Sequence, residues 1–353
     1  MIQQLLFGFD CLRGLKDKVI IFITVATGFI ISYLLLRNPL SEASSLTQLL
    51  NNIIEFSGIF SGILITYIIS KVFQIRQEKL ERRNRIVWFA NRTTDFRRIA
   101  RVLQNVHGFW DGNMRQLMDN KYKKLTHFHI RIWDYENENK YSKELIELRN
   151  AFYQEKHNCG AELYLEIKAL VLDDLKPFQL DLYNRYDYDK IYPLEIVRKW
   201  SGSDCGNHLW YFFDHKWAVY RKCFNFIEIN PSDSNEILKL CQKINSKKYR
   251  GRSFDEKLLA DIGSEFHGHI LPNLYELTYF NSLGLPRSVT FILRFLFVTG
   301  FFGILIPLLL SAMQLNIKIL VIAASITVWI LCVGLFYFLL KFFKILKSEL
   351  IVK

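Results

Sequence analysis

Residues 319–340 read ILVIAASITVWILCVGLFYFLL, a run of 22 positions without a charge. At 1.5 Å per residue a helix of this length spans about the 30 Å hydrocarbon core of a bilayer. A soluble helix needs a polar face, and this stretch has none. Working outward, three further apolar runs lie at about 19–36, 53–70 and 288–313, with about 215 more polar residues between the second and third. The reading is a mainly α fold. An N-terminal transmembrane hairpin (1–73) and a C-terminal one (288–353) would supply four spans, with a mainly helical cytoplasmic domain (74–287) inserted between them.

Flanking charge sets the orientation, because Lys and Arg concentrate on the cytoplasmic side of spans. Arg13, Lys16 and Lys18 precede the first run, and Lys71, Arg76, Lys79, Arg82, Arg83 and Arg85 follow the second. Between those two runs, 38–52 holds no Lys or Arg; between the last two there is only Lys318. Lys341, Lys344, Lys347 and Lys353 come after the fourth. The expectation is a multi-pass protein of the cell (inner) membrane, with both termini and the central domain cytoplasmic. The first run also has the position of a secretory signal. Against that, Ser32-Tyr33-Leu34-Leu35-Leu36 is bulky where a cleavage site must be small.

The central segment is rich in aromatics and large enough for a real core. The six cysteines, Cys11, Cys159, Cys205, Cys223, Cys241 and Cys332, form no C-x-x-C pair. A cytoplasmic domain would keep them reduced, so neither a disulfide framework nor a structural zinc site is expected. Charge is segregated. Residues 76–131 carry 14 Lys/Arg against 5 Asp/Glu, 132–238 carry 13 against 19, and 239–257 carry 7 against 2. Separated basic blocks attract anionic ligands or lipid headgroups.

Along the domain, Ile86, Phe89, Ala90, Phe96, Ile99, Ala100, Leu103 and Val106 make an i, i+3/i+4 ladder. They predict a stalk helix that continues from the second run and ends at His107-Gly108. Leu125–Trp133 fits a short strand or an amphipathic helix. Further helices are predicted from Ser142 to about Leu175, over Pro193–Trp200, across the aromatic-rich His208–Ile229, and from Pro231 to about Ile244. Another runs from a Ser253-x-x-Glu256 capping box through about His269. Tyr183–Tyr192 reads as a loop.

No enzyme signature appears: no phosphate-cradling Gly-rich loop, no G-x-S-x-G and no H-E-x-x-H. The pairs His127-x-His129 and His267-x-His269 point apart on a helix and do not converge on one metal. Asp261, Glu265 and His269 share a helical face, as metal ligands or as a salt-bridged surface. Arg101 with His107 has the spacing of the catalytic pair in helical RNA-cleaving domains, a spacing that arises readily in so basic a helix. No catalytic residue, cofactor or metal is expected. Arg82, Arg83, Arg97, Arg98 and Arg101 on the stalk, with Lys247, Lys248 and Arg250 in a predicted turn, lie among aromatics. Cations interleaved with rings can neutralise phosphates and stack bases. The alternative is contact with lipid headgroups or with the acidic block.

The second run is the most telling. Asn51, Glu55, Gly58, Gly62 and Thr66 fall on one side of the helical wheel, and Phe56, Phe60, Ile63, Leu64 and Tyr67 on the other. A Gly58-x-x-x-Gly62 face allows close helix packing, while a polar face with an acid suits a water-filled path. The two coexist where helices meet near an oligomer axis. Ile65 and Ile69 extend this face as an apolar constriction. Arg294, interrupting the third run, either snorkels to headgroups or forms a basic ring at the inner mouth.

Two hairpins around a large basic-patterned insert, without an enzyme motif, give a plan that resembles the membrane effectors of bacterial anti-phage systems. The resemblance covers the whole chain as architecture, rests on no specific motif and transfers no functional residue. It implies a membrane protein that dissipates ion gradients when a nucleotide made by a separate sensor reaches it. The leading expectation is accordingly an oligomeric channel or pore gated by a ligand at its cytoplasmic domain. Its partners would be the lipid bilayer, further copies of itself, a nucleotide or oligonucleotide, and a cytoplasmic protein. A membrane-anchored receptor or scaffold is the second reading, and a tethered nuclease or hydrolase the third.

Overall fold

The computed structural model describes residues 22, 25–26, 28–30, 33, 43–131, 141–155, 160–171, 191–313 and 316–350. Among these the chain is almost entirely helical, and no strand occurs; Trp110 and Phe224 make an isolated antiparallel bridge. Three stretches are long and apolar enough to cross a membrane: Leu46–Asn105, Glu256–Ala312 and Ile317–Ile345. The expected span at 19–36 lies largely outside the described residues. Where it is described, Gly28 abuts the Trp329 ring, with no room for a β-carbon.

The chain divides into two compact units, residues 1–77 with 284–353 and residues 78–283. One helix, Ala43–Asn105, contributes to both. Its 63 residues measure about 95 Å at 1.5 Å each, roughly three times the hydrocarbon core, so only part of it can lie in lipid.

Within the first unit, Leu46 and Leu50 cluster with Leu310 and Ala324, and Leu64 with Ile292, Phe295 and Phe338. Between these clusters the packing depends on small residues. Ser57 lies against Gly303, and Ser61 Oγ stands 3.4 Å from Thr299 Oγ1. Small side chains four apart on both helices let the backbones approach, which membrane helices need because lipid gives them no hydrophobic drive to associate.

The second unit is built on the stalk. All eight residues of the apolar ladder are buried there, from Ile86 to Val106. Phe96 stacks on Phe266 with ring centroids 3.8 Å apart. Phe109, Trp110, Phe213, Phe224 and Phe226 form an edge-to-face aromatic cluster beside it.

Several elements differ from the sequence expectation. The helix from Ser142 is capped as expected, with Ser142 Oγ accepting from the Leu145 amide, but it ends at Gln154. A second helix, Ala161–Val171, follows Gly160, whose φ of +75° interrupts the path. Leu125–Trp133 contains the short helix His127–Arg131. His208–Ile229 is not one helix. It comprises Asn207–Trp210, a π turn Tyr211–His215, Trp217–Tyr220 and two 3₁₀ turns, because its many rings are drawn into the aromatic cluster from several directions. The cap expected at Ser253 sits at Asp255, which accepts from the Leu258 amide at 2.8 Å. The loop expected at Tyr183–Tyr192 lies mostly outside the described residues.

Two segments share a pattern: FHGHILP at 266–272 and FFGILIP at 301–307. In each, a π turn (Phe266–Ile270, Phe301–Leu305) leads into a helix whose second residue is Pro272 or Pro307. Proline lacks an N–H, and its ring would strike the carbonyl four residues back, here Gly268 or Gly303. The wider π turn opens that spacing and lets the helix continue.

Candidate functional site

The helix Ala161–Val171 carries two acids four residues apart, Glu162 and Glu166. Four residues bring both to one face. Glu166 is fully buried, between the buried Leu165 and Ile167. Facing it is a tight turn after the helix Leu194–Gly202. Ser203 caps that helix, its hydroxyl donating to Lys199 O at 2.7 Å. Asp204 (φ +54°) and Gly206 (φ +94°) then adopt left-handed conformations, the second of which a glycine adopts without strain. The turn delivers two backbone groups. Gly206 N donates to Glu166 Oε1 at 2.8 Å, and Ser203 O accepts from His127 Nε2 at 2.9 Å. His208 follows the turn directly. Its Nδ1 stands 2.7 Å from Glu166 Oε2 and its Nε2 3.2 Å from Glu162 Oε2. His127 Nε2 lies 3.8 Å from the same Glu166 oxygen.

The electrostatics follow from this geometry. Burial disfavours a charged His208, but the Glu166 and Glu162 carboxylates outweigh it and raise its pKa to about 9. Burial likewise opposes the Glu166 anion, yet His208, His127 and the Gly206 amide hold its pKa below the ordinary carboxylate value. Glu162 is lowered, chiefly by its hydrogen bond from His208. His127, with a wholly buried side chain, is lowered by desolvation and stays neutral at neutral pH. The neighbouring Cys205 thiol is pushed up by burial and by Glu166, which makes it inert. His127, Glu166 and His208 thus place one donor atom each within 4.8 Å of one another, a grouping able to hold a metal ion.

None of these three was singled out as a constellation by sequence. Local spacing tested His127 only against His129, which instead lies beside Thr126, its Nδ1 accepting from the Thr126 amide at 3.3 Å. The available signal was Glu166 itself, an acid inside LYLEIKALV.

The residues expected to line a path are distributed as follows. Asn51, Glu55, Gly58, Gly62, Ile65, Thr66 and Ile69 are all exposed, and among the described residues a β-carbon at Gly58 or Gly62 would meet nothing within 4 Å. Close packing uses the adjacent Ser57, Ser61 and Leu64 face instead of the expected Gly-x-x-x-Gly. The opposite bulky side is split: Phe60, Leu64 and Tyr67 pack inward, while Phe56 and Ile63 are exposed. Arg294 is exposed.

The basic series is not one surface. Arg97 is 1 % exposed, with Nε donating to Leu170 O at 2.6 Å and its guanidinium near the Tyr192 and Trp200 rings. It is a core residue and cannot meet a ligand's phosphates. Arg82 pairs with Glu78, Arg98 with Asp95, Lys248 with Glu265, and Arg101 bonds Gln104. Arg83, Lys247 and Arg250 are exposed. Arg92 lies 3.3 Å above the Trp88 ring.

Asp261 and Glu265 form the salt-bridged surface rather than a metal set. Asp261 receives Arg252 at 2.8 Å, and Glu265 receives Asn245, Tyr249 and Lys248. His269 packs its ring near Phe89. Arg101 and His107 are not paired with each other, since His107 meets Arg115 at 3.4 Å. Contrary to the expectation of reduced cysteines, Cys223 is disulfide-bonded, while Cys205, Cys241 and Cys332 are free thiols.

Comparison with family models, curated proteins and solved structures finds no match for this chain.

Proposed function

We propose that the chain is one subunit of an oligomeric membrane channel whose path is lined by the Asn51–Ile69 face. One observation carries this reading: a polar face runs along an apolar helix, and none of the described residues of its own protomer covers it. A lone subunit would present Asn51 and Glu55 to lipid. A charged acid at the centre of a membrane helix costs about 2.5–3.5 kcal/mol, less near the interface. Further copies packed around a watery axis remove that cost, and the open space at Gly58 and Gly62 lets helices come close there.

In this reading Glu55 selects among permeating ions. Ile65 and Ile69, 43 % and 51 % exposed, form an apolar constriction that closes by dewetting. Arg294 supplies positive charge at one mouth. The Lys/Arg asymmetry supports a cytoplasmic location for the 78–283 unit, where the exposed Arg83, Lys247 and Arg250 suit the phosphates of a nucleotide or oligonucleotide that gates the channel. Such behaviour fits a defence effector that collapses ion gradients.

The test is ion flux from proteoliposomes holding the full-length protein, with and without a short oligonucleotide, alongside mass measurement of the assembly. An oligomer with flux is expected, and Glu55→Gln should alter its ion selectivity while leaving its mass unchanged. A monomer without flux under every condition would sink the channel and leave a membrane-anchored scaffold as the better description.

A further inference from the structure

We propose that His127, Glu166 and His208 bind one divalent transition-metal ion that ties together the helices His127–Arg131, Ala161–Val171 and Asn207–Trp210. This site is independent of the channel reading.

Three features of the cluster converge on a metal. The first is the pairing of atoms. Glu166 Oε2 and His208 Nδ1 stand 2.7 Å apart as a buried ion pair whose geometry is poor for an N–H···O bond, so charge more than directed bonding holds them together in the metal-free protein. When an ion displaces the Nδ1 proton of His208, the two lone pairs that are freed lie close enough to share it. Buried polar atoms without a directed hydrogen bond are rare and call for an explanation.

The second is how the outer atoms are held. Glu166 uses Oε1 to accept from Gly206 N, which leaves Oε2 for the ion. His208 Nε2 faces Glu162 Oε2 at 3.2 Å, which leaves Nδ1 for the ion. A ligating histidine generally gives its other ring N–H to a carboxylate or carbonyl, which fixes the tautomer and raises its basicity. Glu162 is then a positioning residue for His208. His127 contributes Nε2, 3.8 Å from Glu166 Oε2; on loading it gives up its bond to Ser203 O and its ring proton moves to Nδ1, which has no hydrogen-bond partner in the metal-free protein.

The third is distance and charge. Ligands about 2.1 Å from a tetrahedral ion stand about 3.4 Å from one another. The 2.7 Å and 3.8 Å separations straddle that value, and all three donor atoms lie within 4.8 Å of one another, so side-chain shifts of about an ångström or less complete the site. With neutral rings the two carboxylates leave a charge of −2, which a divalent ion cancels. Two imidazoles and a carboxylate suit zinc and its first-row neighbours rather than calcium or magnesium, which prefer all-oxygen sites.

The experiment uses full-length protein in detergent, purified without a histidine tag, stripped by chelator and titrated with Co²⁺, whose visible bands report nitrogen and oxygen ligation. One equivalent should bind, and Zn²⁺ should displace it and raise the melting temperature. His127→Gln and Glu166→Gln should each weaken binding at least 100-fold. Glu162→Gln should weaken it about 10- to 100-fold, the usual effect of losing a partner behind a ligand. His107→Gln, whose ring meets Arg115 and takes no part in the cluster, should bind as the parent does. The proposal is overturned if the folded parent gives no ligand bands with Co²⁺ and no melting shift with Zn²⁺. It is overturned equally if stoichiometric binding survives in folded His127→Gln and Glu166→Gln. Should those variants fail to fold, the parent's spectrum and its stoichiometry decide alone.

Discussion

Ser57 lies so close to the Gly303 backbone that a β-carbon at 303 would collide with the serine side chain. Gly62, on the same helix as Ser57, meets no described residue on that side. The two glycines therefore differ in what they serve. Gly303→Ala should destabilise the folded subunit by about 1–3 kcal/mol, the cost of overpacking a close contact. Gly62→Leu should leave the subunit's melting temperature unchanged and act on assembly or conduction. Thermal melts in detergent with size-exclusion chromatography separate the two effects.

Reporter fusions check the orientation. Insertions at Ser44 and Gln314 should read external, and one at Asn184 cytoplasmic. The disulfide at Cys223 gives an independent view, because cytoplasmic thiols are normally kept reduced. Alkylation in living cells before lysis should leave Cys223 unmodified until a reductant is added. An unmodified Cys223 together with an external Asn184 would place the 78–283 unit outside and remove cytoplasmic ligands from consideration.

The arginines of the stalk should part into two classes. Removing Arg97 strands Leu170 O and empties a site lined by Tyr192 and Trp200, so Arg97→Ala should lower stability by about 3 kcal/mol or more. Charge reversal at the exposed Arg83, Lys247 and Arg250 should barely change the melting temperature. If these residues hold phosphates, it should weaken oligonucleotide binding and flatten its salt dependence. Equal binding by the parent and the triple variant at every salt concentration would remove nucleic acid as the ligand.

Stability of the metal-free protein should fall in mild alkali. His208 is raised from 6.5 to about 9 by Glu166 and Glu162, against burial and beside a neutral His127. Its stabilisation is fully present below the unfolded value near 6.5 and is lost as pH rises through about 9. A shift of that size corresponds to something on the order of 3 kcal/mol. The melting temperature of chelator-treated protein should decline over that interval, and His208→Gln should flatten the decline.

The sequence showed what repeats locally. The stalk ladder from Ile86 to Val106, the Ser142 cap and the Pro231 start all depend on contacts within a few residues, and each could be read from spacing. His127, Glu166 and His208 are drawn together by the turn at Ser203–Gly206 over separations that no periodicity encodes. The break-up of His208–Ile229 has the same origin, since ring packing with Phe109 and Trp110 overrides local helix preference. Arg97 misleads for a related reason. Composition marks it as one more cation on a basic helix, while its position on the wheel, one residue after Phe96 and two before Ile99, sets it among the buried ones.

The π turn at Phe301–Leu305 also has a bearing on phase. The buried positions Phe295, Thr299, Gly303 and Pro307 recur every four residues. A regular helix turns about 100° per residue, so twelve residues at that spacing would drift by about 120° and carry the stripe away from its neighbour. One surplus residue in the wide turn takes up most of the drift. The chain thus keeps a four-residue beat that an α-helix alone cannot sustain. Deleting a single residue such as Phe302 should rotate everything after it by about 100° and move Leu310 away from Leu46 and Leu50. A cysteine pair at Leu50 and Leu310 that cross-links in the full-length chain and fails to do so in the deletion would register that rotation.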